Sequence, residues 1–229
     1  MFQQSCSGIR ESIYGVKCSS PIAGNKVTAS LGSAFMISPG ILSTCAHLLH
    51  VNSDVLKPIH KTFEVIRAPD IGQSMENARV IAEDVSKDIA LLKLDDPRSN
   101  QCVTFDPNMV DIGTTCGLLG FPLGEIDPQG RFLLVLRFQG AFISSYDSSN
   151  ANYEVDALMY NGSSGSPGFT VDGKVIGMQH ASRVPNTTIV GQMGGQTNVV
   201  RNPTDRFAIS LLVASKQIIE LANKNGIKI

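Results

Sequence analysis

Short apolar stretches, separated by clusters of glycine, proline, asparagine, aspartate and serine, recur along the whole chain. This alternation is typical of an all-β sandwich or barrel, because each stretch can form a strand and each cluster a turn. The stretches predict strands at Ile13–Lys17, Val27–Ile37, Gly40–Ala46, Thr62–Ile66, Ala78–Asp84, Ile89–Lys93, Thr114–Gly120, Arg131–Ser145, Glu154–Met159, Gly168–Val171, Lys174–His180 and Phe207–Leu211. One helix is predicted, at about Val213–Lys224, where apolar residues recur at helical spacing until Asn225-Gly226 ends the pattern.

The composition excludes several classes of partner. The chain has 229 residues, of which 42% are apolar and 17% charged, and its formal net charge is −1. A chain of this length can bury one large core or two small ones. Its near-neutral charge gives no electrostatic reason to bind nucleic acid or an anionic membrane surface, and no apolar run reaches the roughly 18 residues of a membrane span. We therefore expect neither a nucleic-acid partner nor a membrane partner.

The start of the chain and its cysteines suggest a compartment. The first residues lack the basic and apolar regions of a signal peptide, although a secreted mature form would look the same. The cysteine count, five, is odd, and the spacings typical of zinc sites are absent. The sequence thus predicts reduced thiols, a cytoplasmic location and no metal or cofactor.

The most informative loop of the chain runs from residue 160 to residue 169 and contains consecutive glycines and serines. Gly162 and Gly165 permit a tight backbone that can direct several N–H groups into one small space. We expect Ser164 to be a nucleophile, and the amides of Gly162 and Ser164 to form an oxyanion hole. Ser163 and Ser166 could compete, but only Ser164 has a glycine two residues before it and one immediately after. A purely structural turn is the other interpretation.

A serine hydroxyl is a weak nucleophile, so it needs a general base and a third group that orients the base. His47, at the end of the segment Ser43-Thr44-Cys45-Ala46-His47, is the candidate base. Asp88 begins the apolar run Asp88-Ile89-Ala90-Leu91-Leu92-Lys93-Leu94 and is the candidate orienting group.

Other residues could fill these roles. The rival bases are His50, expected at the surface, His60 and His180, and the rival carboxylate is Asp84. A cysteine nucleophile is a weaker alternative. Cys45 lies only two residues from the base, and the surroundings of Cys116 do not resemble a nucleophile loop.

These segments resemble the T-x-A-H, D-I-A-L-L-K-L and G-x-S-G-x-P motifs of chymotrypsin-like serine proteases. The order His, Asp, Ser is that of chymotrypsin, whereas subtilisins and α/β-hydrolases use other orders. The run Leu31–Ser43 and most of the remaining chain resemble bacterial trypsin-like peptidases of the heat-shock periplasmic type and staphylococcal glutamyl endopeptidases.

The resemblance implies two six-stranded antiparallel β-barrels followed by the C-terminal helix. We expect a domain at 1–100 carrying His47 and Asp88, and a domain at 101–229 carrying Ser164 and the helix. It also implies a serine endopeptidase that cleaves protein or peptide substrates through an acyl-enzyme on Ser164, with His47 as base and Asp88 orienting it. A non-catalytic member that only binds peptides is the alternative, and no regulatory partner can be identified.

Residue 163 bears on how such a site would be activated. In zymogen-activated members of the family, an aspartate precedes the nucleophile and pairs with a newly freed α-amino group. Ser163 cannot form that ion pair. The resemblance therefore predicts that the loop is ordered by something other than N-terminal cleavage.

The resemblance further places a substrate pocket at Leu158, Met159, Gln179 and His180. Glutamyl enzymes carry a histidine where this chain has Gln179, and the match at 184–186 requires an extra residue that could bring His180 into register. Because side chains alternate along a strand, only one of the two can face the pocket. Gln179 would favour apolar or uncharged substrate residues, and His180 would favour acidic residues or glutamine. The apolar reading is the favoured of the two, and Leu158 gives no support for a preference for lysine or arginine.

Overall fold

The first half of the chain forms a closed barrel of six antiparallel strands. The computed structural model describes residues 1–23, 26–52, 58–72, 74–122, 125–126, 132–182, 188–193, 196–201 and 209–229. After a short helix, α1 (Gln3–Ile9), come β1 (Ile13–Ile22), β2 (Lys26–Ser38), β3 (Ile41–Thr44), β4 (Thr62–Arg67), β5 (Glu76–Asp84) and β6 (Ile89–Leu94). Their order around the barrel is β1-β2-β3-β6-β5-β4, and β4 pairs back onto β1.

The second half forms a second closed ring of six strands. Its elements are β7 (Thr104–Phe105), β8 (Thr115–Gly120), β9 (Glu125–Ile126), β10 (Phe132–Leu133), β11 (Arg137–Asp147), β12 (Asn152–Asp156), β13 (Pro167–Thr170), β14 (Lys174–Ser182), β15 (Thr188–Met193), β16 (Gln196–Arg201), β17 (Ile209–Ala214) and helix α2 (Ser215–Lys224). The ring runs β13-β8-β11-β12-β17-β14, and β13 pairs with β14 to close it. β7 adds in parallel to β14, while β9–β10 and β15–β16 are separate hairpins.

The predicted fold class is therefore confirmed, while the domain boundary at residue 100 stays a prediction. The starts of two predicted strands, at Arg131 and Phe207, and the match at 184–186 lie outside the described residues.

Two buried clusters fill the barrels. The first lies in the β1–β6 barrel and extends across the contact between the halves to Phe169, Met178 and Ile218. The second lies inside the other barrel and includes Ile143 and Val155. Burial of these apolar side chains drives folding, and the shared first cluster fixes one barrel against the other.

The helices differ from the prediction at two points. α2 begins at Ser215 because Val213 is held in the sheet, opposite both Asn152 and Met178. The short helix α1 was not predicted, since it is mostly polar and buries only Ser5 and Ile9. Sheet pairing therefore overrides the helical spacing at one end of the chain, and a weak apolar pattern conceals a helix at the other.

Candidate active site

His47 is positioned by the short 3₁₀ helix Ala46–Leu49, which follows β3 directly. Residues Ile41–Thr44 of β3 are buried throughout, so the strand anchors the start of this turn in the barrel core. The imidazole itself is partly open, with its side chain 27% exposed. A rigid strand thus presents a reactive side chain at the edge of the barrel.

Asp88 lies in the turn between β5 and β6 and binds His47 at two points. Its Oδ1 accepts a hydrogen bond from the His47 backbone N–H at 2.8 Å, and its Oδ2 lies 2.7 Å from His47 Nδ1. The Asp88 backbone has φ +56°, a conformation that non-glycine residues rarely adopt. Its carbonyl accepts from the Ala46 amide at 3.3 Å. These contacts fix the orientation of the imidazole ring.

The electrostatic surroundings keep the Asp88 carboxylate ionised. Burial alone would raise its pKa from 3.8, but hydrogen bonds from His180 and His47 more than offset burial and hold the pKa at about 2. An ionised Asp88 accepts a hydrogen bond from the N–H at His47 Nδ1. The other ring nitrogen, Nε2, is then free to accept a proton.

Ser164 completes the set. Its Oγ lies 3.0 Å from His47 Nε2, within hydrogen-bond reach of the nitrogen that can take its proton. The residue is 8% exposed, so the hydroxyl is shielded but still accessible. The structure thus brings His47, Asp88 and Ser164 together in the geometry that activates a serine hydroxyl.

The backbone around Ser164 forms a tight turn. The Ser163 amide donates to the Tyr160 carbonyl at 2.9 Å, and Gly162 has φ +92°, which suits the third position of a type II turn. The amides of Gly165 and Ser166 donate to the carbonyls of Gln179 and Ser163.

By contrast, the amides of Gly162 and Ser164 have no acceptor among the described residues. Buried N–H groups are rarely left unpaired in folded proteins. Both amides are thus available to bind an oxyanion, and the oxyanion hole at Gly162 and Ser164 stays a prediction.

The rival residues are held elsewhere. Asp84 accepts hydrogen bonds from Ser86 Oγ at 2.6 Å and from the Lys87 amide at 3.2 Å, so it stabilises the β5–β6 turn. Ser163 Oγ accepts from the Tyr160 amide at 3.3 Å. Neither contact reaches the imidazole of His47.

Two of the rival histidines, His50 and His60, lie in the first barrel away from Asp88. His50 was expected at the surface, but it is only 3% exposed and pairs with Glu83 at 3.0 Å. His60 is equally buried and bonds to Ser30 Oγ at 3.2 Å. Burial, and secondarily the nearby His50, lower the pKa of His60.

The cysteines are poor nucleophiles here. Burial raises the pKa of Cys45 well above its ordinary value, with a further contribution from the nearby Asp88, and raises that of Cys116 to about 12. Cys45 Sγ contacts the Gln179 carbonyl at 3.3 Å. The ligand atoms of Cys45, His47 and Asp88 lie within 4.8 Å of one another. A metal there would need the Cys45 thiolate, which burial disfavours.

A cavity of about 310 Å³ opens beside the Ser164 loop. Its walls include Leu118, Gln139, Tyr160, Ser163, Ser166 and Gln179. Gln179 is 2% exposed, and its amide donates to Ser210 Oγ at 2.8 Å. Leu158 and Met159 are half-buried and do not belong to the described wall; the backbone of Leu158 instead pairs with the side-chain amide of Gln139.

His180 faces the other way. Its Nδ1 lies 3.5 Å from Asp88 Oδ2, the same oxygen that meets His47. Its side chain is 14% exposed, and its Nε2 is buried without a partner in the described part of the chain. Sequence analysis missed this contact with Asp88. Alternation along β14 indicates only that a cavity-facing Gln179 turns His180 to the opposite face, and the meeting with Asp88 depends on how the two barrels pack.

Relatives of known name are serine endoproteases. The chain is 30% identical, over 199 residues, to a probable periplasmic serine endoprotease, DegP-like, of Rickettsia conorii; the match covers 86% of this chain and 34% of that protein. The chain spans about a third of the length of the curated relatives it matches.

These names contradict the cytoplasmic location predicted from the start of the chain, and point to the periplasm instead. The prediction was wrong because unpaired cysteines do not identify a compartment. All five are free thiols, and three of them, Cys18, Cys45 and Cys116, are buried, which shields a thiol in any compartment.

Solved structures share the fold at low sequence identity. The Rv3671c protease of M. tuberculosis, in its active form, aligns with a TM-score of 0.66 at 18% identity, over 98% of this chain and 85% of that one. The serine endoprotease of Yersinia pestis aligns with a TM-score of 0.69 at 16% identity, over 98% and 66%.

Residues 32–178 match the family model of the trypsin-like peptidase domain. This range contains His47, Asp88 and Ser164, together with the cavity-lining Gly120 and Tyr160. The chain belongs to the trypsin-like peptidase family.

Proposed function

We propose that this chain is a serine endopeptidase whose nucleophile is Ser164. The observation that carries the proposal is the contact series Ser164 Oγ to His47 Nε2 at 3.0 Å and His47 Nδ1 to Asp88 Oδ2 at 2.7 Å. Family membership and the serine endoproteases among its relatives support the same activity.

In this mechanism His47 Nε2 takes the proton of Ser164 as Oγ attacks the carbonyl carbon of the scissile peptide bond. The negative charge that develops on the carbonyl oxygen is stabilised by the amides of Gly162 and Ser164. His47 then gives its proton to the leaving amine, and the acyl-enzyme on Ser164 remains. A water molecule, deprotonated by His47, hydrolyses the acyl-enzyme and restores the hydroxyl. Asp88 stays ionised throughout and stabilises the imidazolium.

The substrate class is protein or peptide. We place the side chain that precedes the scissile bond in the cavity beside Tyr160 and Gln179, whose volume of about 310 Å³ accommodates a large side chain. Leu118 and Phe138 contribute apolar walls, and the Gln179 side-chain amide is already bonded to Ser210. The one charged group of the described wall, the Arg137 guanidinium, donates to the Pro122 carbonyl at 2.6 Å. Apolar or uncharged residues should therefore be preferred.

Neither helix of the described residues has the length and apolar character needed to cross a bilayer.

Hydrolysis of an unfolded protein substrate, such as reduced casein, tests the proposal. The parent chain should cleave it, and Ser164→Ala should reduce kcat by about 10⁴- to 10⁶-fold. A parent that binds the substrate without cleaving it would support the peptide-binding alternative instead. The geometry favours hydrolysis over binding alone, because Ser164 Oγ and Asp88 Oδ2 both lie within hydrogen-bond distance of the His47 ring.

A further inference from the structure

Ser33 lies on β2 of the first barrel, but its contacts reach into the second. Its side chain is fully buried, and its Oγ donates to the Gly162 carbonyl at 2.9 Å. The same oxygen accepts from the Phe121 amide at 2.9 Å. The Ser33 amide donates to the Ser164 carbonyl at 2.8 Å. Ser33 therefore binds the carbonyls of Gly162 and Ser164, the two residues that flank Ser163.

The remaining contacts of the loop make Ser33 its anchor to the first barrel. The Ser163 hydroxyl accepts from the Tyr160 amide and so stays within the loop itself. The Ser33 carbonyl is held in turn by Thr44 Oγ1 at 2.7 Å, which connects the anchor to β3, three residues before His47. The base and the nucleophile loop thus share one buried connection.

The packing around Ser33 leaves space for nothing larger than hydrogen at two positions. A Cβ added to Gly165 would lie 1.8 Å from the Ser33 carbonyl oxygen, and one added to Gly120 would lie 2.8 Å from Ser33 Oγ. The side chain that forms the contact and the glycines that permit it come from separate parts of the chain. This arrangement brings the Ser33 hydroxyl to the loop at hydrogen-bond distance.

We infer that Ser33 is a positioning residue that holds the oxyanion loop in its reactive conformation from the opposite barrel. The inference rests on the proposed function and adds the means by which the loop is ordered. Ser33 holds the Gly162–Ser163 peptide group, which lies between the two peptide groups that carry the Gly162 and Ser164 amides. A change in the loop that redirected either amide would disturb the buried Ser33–Gly162 hydrogen bond, and a buried carbonyl left unpaired is unfavourable. Ser33 thereby favours the conformation in which the amides of Gly162 and Ser164 are both free.

The test is Ser33→Ala, with Ser43→Ala as the matched control. Ser43 is also fully buried, on β3, but its hydroxyl meets Met178 Sδ at 3.6 Å and not the loop. Steady-state kinetics on a peptide substrate should show kcat falling about ten- to a hundredfold in Ser33→Ala, with KM within about threefold, because the interaction with the transition state is lost. Ser43→Ala should keep the parental kcat.

A second readout separates positioning from general stability. Affinity for a peptide aldehyde, whose adduct places an oxyanion in the hole, should fall in Ser33→Ala by the same factor as kcat. If Ser33→Ala does not fold, Ser33→Cys keeps a weak donor of similar size and should show a smaller, parallel loss of both quantities.

Two outcomes would overturn the inference. A folded Ser33→Ala, or failing that Ser33→Cys, with parental kcat and aldehyde affinity would show that the Ser33 bond is only structural. Equal losses in Ser33→Ala and Ser43→Ala would do the same. A parent chain that neither hydrolyses peptides nor binds the aldehyde would overturn the proposed function as well, so the two failures are distinguishable.

Discussion

Replacement of Asp88 by asparagine should separate catalysis from folding. The asparagine side chain has nearly the same shape, but its NH₂ group cannot accept the proton of His47 Nδ1. The imidazole should then adopt the tautomer that presents a proton, and not a lone pair, to Ser164. We expect kcat to fall by about 10⁴-fold while the substrate KM changes little, because binding does not depend on the tautomer.

The stability of the parent relative to Asp88→Asn should depend on pH in a defined direction. The pKa of Asp88 is about 2 in the folded chain, against an ordinary value of 3.8. Since ionised Asp88 favours the folded state, its contribution is complete above pH 3.8 and disappears as pH falls through about 2. The difference between the two pKa values corresponds to about 2 kcal/mol. By the same linkage relation, about half of this contribution, roughly 1 kcal/mol, is lost between pH 6 and pH 3.

Two assays check these values. Peptide hydrolysis should give the loss in kcat, and urea unfolding at pH 6 and pH 3 should show the parent losing stability relative to Asp88→Asn. Asp84→Asn is the control, because Asp84 meets Ser86 and Lys87 and not the imidazole. If Asp84→Asn abolished activity and Asp88→Asn did not, the assignment of the carboxylate would be wrong. A parental stability advantage that does not shrink in acid would refute the electrostatic argument.

Two further predictions concern the cavity and the loop. His180→Ala should lower kcat by about tenfold, because it removes a hydrogen bond to Asp88, and should leave the preferred residue before the scissile bond unchanged. Gln179→Leu should change that preference in a peptide-library digest. Loss of a preference for acidic residues in His180→Ala would contradict this prediction. Gly165→Ala should lower the free energy of unfolding by at least about 3 kcal/mol, because the residue has φ +89° and its new Cβ would overlap the Ser33 carbonyl oxygen. Gly113→Ala, with φ +86° and open space around it, should cost only about 1–2 kcal/mol, and similar losses at both sites would remove the steric argument.

The candidate residues of the site could be selected from the sequence because each lies in a short local segment. His47 follows an apolar strand directly, Asp88 begins one, and Ser164 lies between two glycines. Strand alternation then predicted that only one of Gln179 and His180 could line a pocket, and in the structure Gln179 lines the cavity beside the loop. These predictions depend only on residues that are close together in the sequence, so they need no knowledge of the fold.

Contacts between distant segments could not be predicted in the same way. Ser33 and Gly162 are separated by 129 residues, and nothing in either segment indicates that they meet. The approach of His180 to Asp88 likewise depends on how β14 of one barrel faces the β5–β6 turn of the other. The burial of His50 against Glu83 is a further case, since its local sequence suggested a surface residue. The His50–Glu83 pair forms when the first barrel closes, and the other two contacts form only when the two barrels pack together.

The central claim, that Ser164 is the activated nucleophile, is tested most directly by covalent labelling. The chain is treated with a fluorophosphonate probe and digested, and the modified residue is located by mass spectrometry. We predict a single adduct on Ser164, unchanged in Ser163→Ala and Ser166→Ala and absent from Ser164→Ala. Labelling that persists in Ser164→Ala, or that lies on Ser163 or Ser166 in the parent, would contradict it.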